Sequence, residues 1–345
     1  MNDTYIFAIE TSCDETSMAI IKNGNTVESH IIYTQIDTHS SFGGVVPEIA
    51  SRMHTEKITT VLEEILAACD LSMEQMDAIA VTSSPGLMGS LLVGIECAKM
   101  LSMYYNKPLI AVHHTVGHIY ANQIDHDLEF PLLALVVSGG HTDLIYMKDH
   151  YDVEILGSSI DDSIGEVFDK VARLMSIPYP GGPNIEKLAR SGKETYNLPK
   201  TNLEGYNFSY SGLKSSVLNL IHNEKQRDKE IDKEDLSYCF QKVAFDQLGK
   251  KVEKALTEKQ VKHFILAGGV SANQALRTEM KTICDKLEVS CHFPEQKYCT
   301  DNAAMIGAAA YPLFQKGLFA DYSLNGNSSE DIKAYFNKID EKRND

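Results

Sequence analysis

The order of apolar runs and turns in this chain occurs twice, and that repeat constrains the fold more than any single motif. Residues 5–10 read as an apolar strand running into the polar turn Thr11-Ser12-Cys13-Asp14-Glu15-Thr16, and residues 17–22 as a second strand closed by Asn23-Gly24-Asn25. Asn-Gly between two apolar runs signals a hairpin, because both residues accept the positive φ of a tight antiparallel turn. Residues 26–34 give a third strand, and Pro47 is suited to the first position of a helix. The apolar spacing 58, 61, 62, 65, 66, 69 is helical. A strand at 78–82, a Ser-Ser-Pro-Gly loop at 83–86, a helix at 89–104, a strand at 108–112 and a helix opening near His114 complete the unit. From Phe130 the series begins again, with strands at 132–138, 142–147 and 153–156. It resumes with a strand at 264–267, a glycine loop at 268–271, a helix at 272–284, a strand at 289–293 and an Ala-rich helix at 301–314. Two copies of one series predict two α/β lobes, each a mixed sheet carrying helices, with ligands in the cleft between them.

The boundaries that follow are a first lobe at 1–128, a second at 129–324 and a charged tail at 325–345. The second lobe carries a mostly helical insertion at 163–261. In that insertion Pro178-Tyr-Pro-Gly-Gly-Pro183 is a rigid turn, and the charged run 223–235 is expected to be a solvated loop. The tail predicts a short helix at 330–338 and no chemistry. Seven cysteines without a C-x-x-C pair argue against a disulfide framework. No apolar run approaches the roughly 20 residues of a membrane span, and the N-terminus lacks the pattern of a signal peptide. A cytoplasmic protein without membrane contact is therefore expected. With 32 basic and 48 acidic residues the net charge is -16, which repels phosphate backbones at long range. A nucleic-acid partner would need a local basic face or a helper subunit.

Two histidines one helical turn apart, His114 and His118, share a face and can converge on one metal ion. The repeat supplies a third donor, because Asp301 opens the helix of the second copy as His114 opens that of the first. The expectation is an ion bridging the lobes, with coordination positions left for water or substrate. The alternative for Asp301 is a helix cap or first-turn acid. Two imidazoles and a carboxylate suit one divalent ion, iron(II) or zinc. The turns Ser138-Gly139-Gly140-His141 and Gly268-Gly269-Val270-Ser271 each end a strand, where bare amides can approach phosphate or ribose. No G-x-x-x-x-G-K-[ST] loop is present.

Eight motifs in order carry a family resemblance: Glu10-Thr-Ser-Cys-Asp14-Glu-Thr, His114-x-x-x-His118, Val137-Ser-Gly-Gly-His-Thr142, Phe168-Asp169-Lys170, Pro180-Gly-Gly-Pro183, Phe208-Ser-Tyr-Ser-Gly-Leu-Lys214, Gly268-Gly-Val-Ser-Ala-Asn273 and Thr300-Asp-Asn-Ala-Ala304. Together they resemble the tRNA adenosine threonylcarbamoyltransferases, a family formerly called glycoproteases, over nearly the whole chain. The resemblance implies an actin-like two-lobed fold and a metal held by His114, His118 and Asp301. It implies a threonylcarbamoyl-AMP site made by Val136, Val137, Ser138, Gly139, Gly140, Asp169, Gly182, Glu186 and Asn273. It also implies transfer of the threonylcarbamoyl group to the N6 amine of adenosine 37 in tRNAs reading codons that start with A. The implied partners are tRNA, an actin-like paralogous subunit, a small P-loop ATPase and an upstream threonylcarbamoyl-AMP synthase. Asp14 and His141 are candidates for proton handling, with a polar turn role as the alternative for each. The chain departs from the family pattern at Val116, where a glutamate is usual, and at Glu186, where many members have aspartate.

Three rival functions share parts of this pattern. An actin-like ATPase or sugar kinase usually carries Asp-x-Gly at the first turn, and Glu10-Thr-Ser-Cys lacks that glycine. A metal-dependent peptidase would use H-E-x-x-H, and Thr115 follows His114. A non-catalytic scaffold has no use for all three ligands.

Overall fold

The computed structural model describes residues 3–124, 126–201 and 203–344. The chain divides into two compact units, one formed by Met1–Leu128, His150–Asp152 and Pro294–Asp345, the other by Glu129–Asp149 and Val153–Phe293.

The first unit begins with strands β1 (Tyr5–Glu10), β2 (Glu15–Lys22) and β3 (Thr26–Thr34), a short helix α1 (Ile36–Ser40) and the long helix α2 (Pro47–Ala67). It continues with β4 (Ala78–Ser84), α3 (Met88–Tyr105), β5 (Leu109–His113) and α4 (His114–Tyr120). The strand order is β3-β2-β1-β4-β5, antiparallel among the first three and parallel from β1 to β5. The Asn-Gly hairpin forms as its residues predict, with φ of 53° at Asn23 and 79° at Gly24, and Pro47 opens α2.

Alternation along β1 and β2 feeds two faces. Phe7, Ile9, Met18 and Ile20 pack with Val61 and Ile65 of α2 and Leu91 and Ile95 of α3. Each such side chain gains about 1.5–3 kcal/mol by leaving water. With both faces covered, β1 reads as a continuous apolar run rather than an alternating one.

The second unit holds β6 (Leu132–Val137), β7 (Thr142–Asp149), β8 (Asp152–Ser158), then α5 (Ile164–Leu174), α6 (Gly181–Ala189), α7 (Ser211–Gln226) and α8 (Lys233–Glu258). It closes with β9 (His263–Ala267), α9 (Gln274–Leu287) and β10 (Ser290–His292). Its sheet order, β8-β7-β6-β9-β10, matches that of the first unit strand for strand, as a duplication requires. Leu133, Leu135 and Val137 of β6 share a core with Phe168 of α5, Phe240, Phe245 and Leu248 of α8 and Leu276 of α9.

Three expectations change. The second lobe does not run to 324, because residues 294–345 return to the first unit. There α10 (Ala303–Gln315) and α11 (Ile332–Asn344) form. Helix α10 is apolar nearly all round, and Gly307 lets it lie against β1 and β2. A Cβ at that position would fall 2.4 Å from Ile21 Cγ1 and 3.3 Å from Ala8 Cβ. Second, the charged run 223–235 is a loop only over 227–232, since Asp232 caps α8 by accepting from Glu234 N and Asp235 N. Third, the tail helix expected at 330–338 runs over Ile332–Asn344, with buried Glu330 before it accepting from Ser84 Oγ at 2.5 Å and from Lys338 Nζ.

Candidate functional site

Strand β5 leads straight into α4, so His114 stands at the first helical position and His118 one turn on. Their rings lie 4.7 Å apart at 83°. Helix α10 packs against α4 through Gly117, where a Cβ would fall 2.8 Å from Ile306 Cδ1. That close approach brings the loop preceding α10 to the histidines. Asp301 Oδ1 lies 3.2 Å from His114 Nε2 and 3.2 Å from His118 Nε2. The three donors lie within 4.8 Å of one another, as one ion requires, and no other such group occurs among the described residues. Asp301 is not the helix cap. That role belongs to Asn302, whose Oδ1 accepts from Met305 N at 3.0 Å. The carboxylate of Asp301 is therefore not committed to holding the helix start. All three donors belong to the first unit, so the expected bridge between lobes is replaced by a site within one of them.

Two observations fit this group to a cation. Both nitrogens of His118 are buried, and neither has a hydrogen-bond partner of proper geometry. Buried polar atoms without a partner are rare in folded proteins unless an ion or a water completes them. The electrostatics of His118 agree. Burial lowers the pKa of His118 and outweighs Asp301, favouring the neutral imidazole that ligates metal. Burial opposes charge on His114 too, but there Asp301 and Glu10 prevail and hold it well above the usual histidine range. For Asp301, burial is overcome by the two imidazoles, which hold the carboxyl far below its ordinary value. A His-His-Asp set fits a divalent ion such as iron(II) or zinc.

In the second unit the residues expected to bind donor form a ring of contacts at the carboxyl ends of the parallel strands β6 and β9. Gly165 N donates to Ser138 O at 3.2 Å, and Ser163 Oγ to Gly139 O at 2.5 Å, joining the β6 turn to α5. Asp169 of α5 accepts from Gly181 N at 2.7 Å, joining α5 to α6. Its carboxyl is pushed up by burial, against the pull of that amide and of Arg173. Glu186 of α6 accepts from Gln274 N at 3.1 Å, joining α6 to α9. Asn273 caps α9, accepting from Ala275 N and Leu276 N, and donates to Gln241 Oε1 at 2.9 Å. Gly268, at φ +87°, closes the ring, since a Cβ there would meet Val137 O at 2.4 Å. Gly139, Gly140 and Gly182 face open space where a side chain would stand. Val136 and Val137 are buried, so only their main chain is available to a ligand.

Asp14 and His141 occupy equivalent hairpin turns in different units. Asp14 is nearly buried, and its carbonyl accepts from Gln35 N at 3.0 Å. His141 exchanges main-chain bonds with Ser138, donating to its Oγ at 3.1 Å and accepting from its N at 2.9 Å.

The sequence profile described as tRNA N6-adenosine threonylcarbamoyltransferase matches residues 26–308. The chain belongs to this family. Relatives named tRNA N6-adenosine threonylcarbamoyltransferase include one from Staphylococcus haemolyticus, 52% identical and spanning 96% of this chain and 97% of its own length. Another, from Staphylococcus carnosus, is 50% identical over 96% of this chain and 98% of its own. Among solved structures, HypF from T. kodakarensis aligns with a TM-score of 0.63 at 16% identity, over 93% of this chain and 49% of that one. Full-length HypF in a phosphate- and nucleotide-bound form gives 0.61 at 14%, over 92% and 47%. The Acidaminococcus fermentans (R)-2-hydroxyglutaryl-CoA dehydratase component A gives 0.52 at 12%, over 90% and 98%. At such identities these likenesses concern the fold, which is actin-like and two-lobed.

The two departures of this threonylcarbamoyltransferase-family chain have clear surroundings. Val116 is fully buried in α4, so the helix bearing the histidines offers no carboxylate of its own. Glu186 sits at the N-terminus of α9, where a carboxylate meets the helix dipole favourably, and it also pairs with Arg190 at 3.3 Å. Glu10 opens the first motif, yet the sequence assigns it no role; its Oε2 lies 3.2 Å from His114 Nδ1. Its signal in the sequence is an acid ending an otherwise apolar, doubly covered strand.

Proposed function

We propose that this chain transfers the threonylcarbamoyl group of threonylcarbamoyl-AMP to the N6 amine of adenosine 37 in tRNAs reading codons that start with A. The observation carrying the reading is the convergence of His114, His118 and Asp301 in a chain of this family. In the reaction, N6 attacks the carbamoyl carbon, the bond from that carbon to the phosphate oxygen breaks, AMP leaves and N6 loses a proton. The donor is already activated, so the protein needs no nucleophile of its own; orientation and stabilisation of developing negative charge suffice. A divalent ion, iron(II) ahead of zinc, would supply Lewis acidity, held by His114, His118 and Asp301. The amides of Gly139 and Gly140 and the open face at Gly182 suit phosphate and ribose, while Asp169, Glu186 and Asn273 hold the helix ends that shape the site. Asp14 and His141 are the candidates to take the N6 proton.

The acidic balance of the chain gives it little general attraction for RNA. This supports a requirement for partners: an actin-like paralogous subunit, a small P-loop ATPase, and an upstream enzyme making the donor. No helix among the described residues is long and apolar enough to cross a membrane, and we place the reaction in the cytoplasm. The test is transfer of the threonylcarbamoyl group, radiolabelled in its threonine part, from threonylcarbamoyl-AMP to tRNA by the chain with its partners. Label in adenosine 37, lost with His118→Ala, is expected. Undiminished transfer by that variant would overturn the metal reading, and no transfer by the complete assembly would overturn the activity.

A further inference from the structure

We propose that Glu10 is a positioning residue for the metal centre, holding the proton of His114 on Nδ1 and its Nε2 toward His118 and Asp301, so that Nε2 is the nitrogen an ion would take. The inference rests on the reading of His114, His118 and Asp301 as metal ligands. Glu10 ends β1 with no exposure to solvent. A buried carboxylate is costly unless donors converge on it, and here three do. Ser12 N donates to Oε1 at 2.5 Å and Thr82 Oγ1 to Oε2 at 2.5 Å. His114 Nδ1 approaches Oε2 at 3.2 Å.

An ionised carboxylate only accepts, so the nitrogen facing Glu10 carries a proton; Nε2, which faces Asp301 at 3.2 Å, is then the nitrogen whose proton an ion would replace. The hydroxyl of Ser12, 3.0 Å from the same Nδ1, can donate or accept and fixes nothing by itself. Glu10 is anchored from outside the ligand helix, because Ser12 lies in the β1–β2 turn and Thr82 in β4. The orientation of His114 is thereby set by the sheet. His118 has no equivalent, since its Nδ1 has no partner. Glutamine at position 10 has one acceptor oxygen for these three donors, and its NH2 group would face a donor at one of the contacts. The imidazole is then free to turn its lone pair away from the site.

The test uses the full-length chain, cobalt(II) alone as the probe, and chelator competition to measure affinity. Wild type is expected to bind one ion and His118→Ala none. Glu10→Gln should bind roughly 10- to 100-fold more weakly, as when partners of metal-ligating histidines are removed, with a changed visible absorption band. Nitrogen-15 NMR of the zinc-loaded wild type should show His114 protonated at Nδ1 and metallated at Nε2, a reading that does not depend on the variant folding. Cobalt affinity and spectrum of Glu10→Gln equal to wild type, or His114 bound through Nδ1, would overturn the role of Glu10 and leave the metal site standing. Failure of wild type to bind cobalt more tightly than His118→Ala would overturn the metal reading itself, and this inference with it.

Discussion

The turn between β1 and β2 and the turn between β6 and β7 are the same element in the two copies of the repeat, yet their chemistry is opposite. In the first unit the turn carries Glu10, Asp14 and Glu15, mostly buried. Burial and the charges of Asp301 and Asp14 push the Glu15 carboxyl well above its usual range. In the second unit the turn carries Gly139 and Gly140, exposed and with nothing where a side chain would stand. One copy has gathered acceptors beside His114, His118 and Asp301, and the other has stripped away side chains to bare its amides. The difference teaches that a duplicated scaffold can place two chemistries at equivalent positions without altering the strand order beneath them.

The contrast breaks most readily at the acceptor-rich side. His118→Ala and Asp301→Ala are each expected to abolish metal retention and transfer. Because Asn302 rather than Asp301 caps α10, the metal-free melting temperature should move little, within about 1 kcal/mol of stability. Metal content measured beside melting temperature decides this, and full occupancy in either variant would remove that residue from the ligand set.

The glycine side sharpens through two substitutions that look alike. Gly268→Ala forces a side chain into positive φ against the carbonyl of Val137 and should cost at least about 2 kcal/mol in denaturant unfolding. Gly140→Ala has room and should change stability by under about 0.5 kcal/mol. If the β6–β7 turn meets phosphate, the same alanine should weaken donor binding roughly 3- to 10-fold by calorimetry. Unchanged donor binding would make this turn purely conformational.

A smaller effect is expected from Asn273→Ala, which removes the cap of α9 and the bond to Gln241 and should cost about 1 kcal/mol. Donor affinity falling further than stability accounts for would show that Asn273 also touches the ligand. Equal losses of donor and tRNA binding would reduce it to a cap.

A last effect, confined to stability and largest at alkaline pH, lies outside both turns. Burial, with Asp246 nearby, raises the Glu279 carboxyl to about 7 against the pull of Lys200. The folded state then keeps a proton that the unfolded chain loses near 4.5, so stability falls as pH rises between those values and the penalty is complete above 7. Glu279→Gln should therefore be the more stable protein at pH 8, by about 1–2 kcal/mol after allowing for its partial exposure. At pH 4 the two should melt alike.

Much of this was legible in the sequence because local chemistry decided it. The Asn23-Gly24 hairpin, Pro47 at a helix start and the repeated series each rest on residues within a few positions of one another. The family motifs likewise brought His114, His118 and Asp301 into one set, and the structure gathers them. What stayed hidden depends on contacts distant in sequence. Helix α10 is apolar on every side, so its pattern names no face, and only packing through Gly117 and Gly307 shows which sheet it joins. The role of Glu10 was hidden for the same reason, since its partners Thr82 and His114 come from other elements. The run 223–235 misled because charges on exposed helix ends resemble those of a loop.

The return of residues 294–345 to the first unit bears on how the molecule is made. More than half of the chain separates His118 from Asp301, and the helix that brings Asp301 into place is translated after every strand of both sheets. Domains made on the ribosome commonly fold as they emerge, N-terminal parts first, but this N-terminal unit must wait for nearly the last segment before one face of its sheet is covered. His114, His118 and Asp301 come together only once that segment has docked, so the assembled trio is a marker that translation has passed α10.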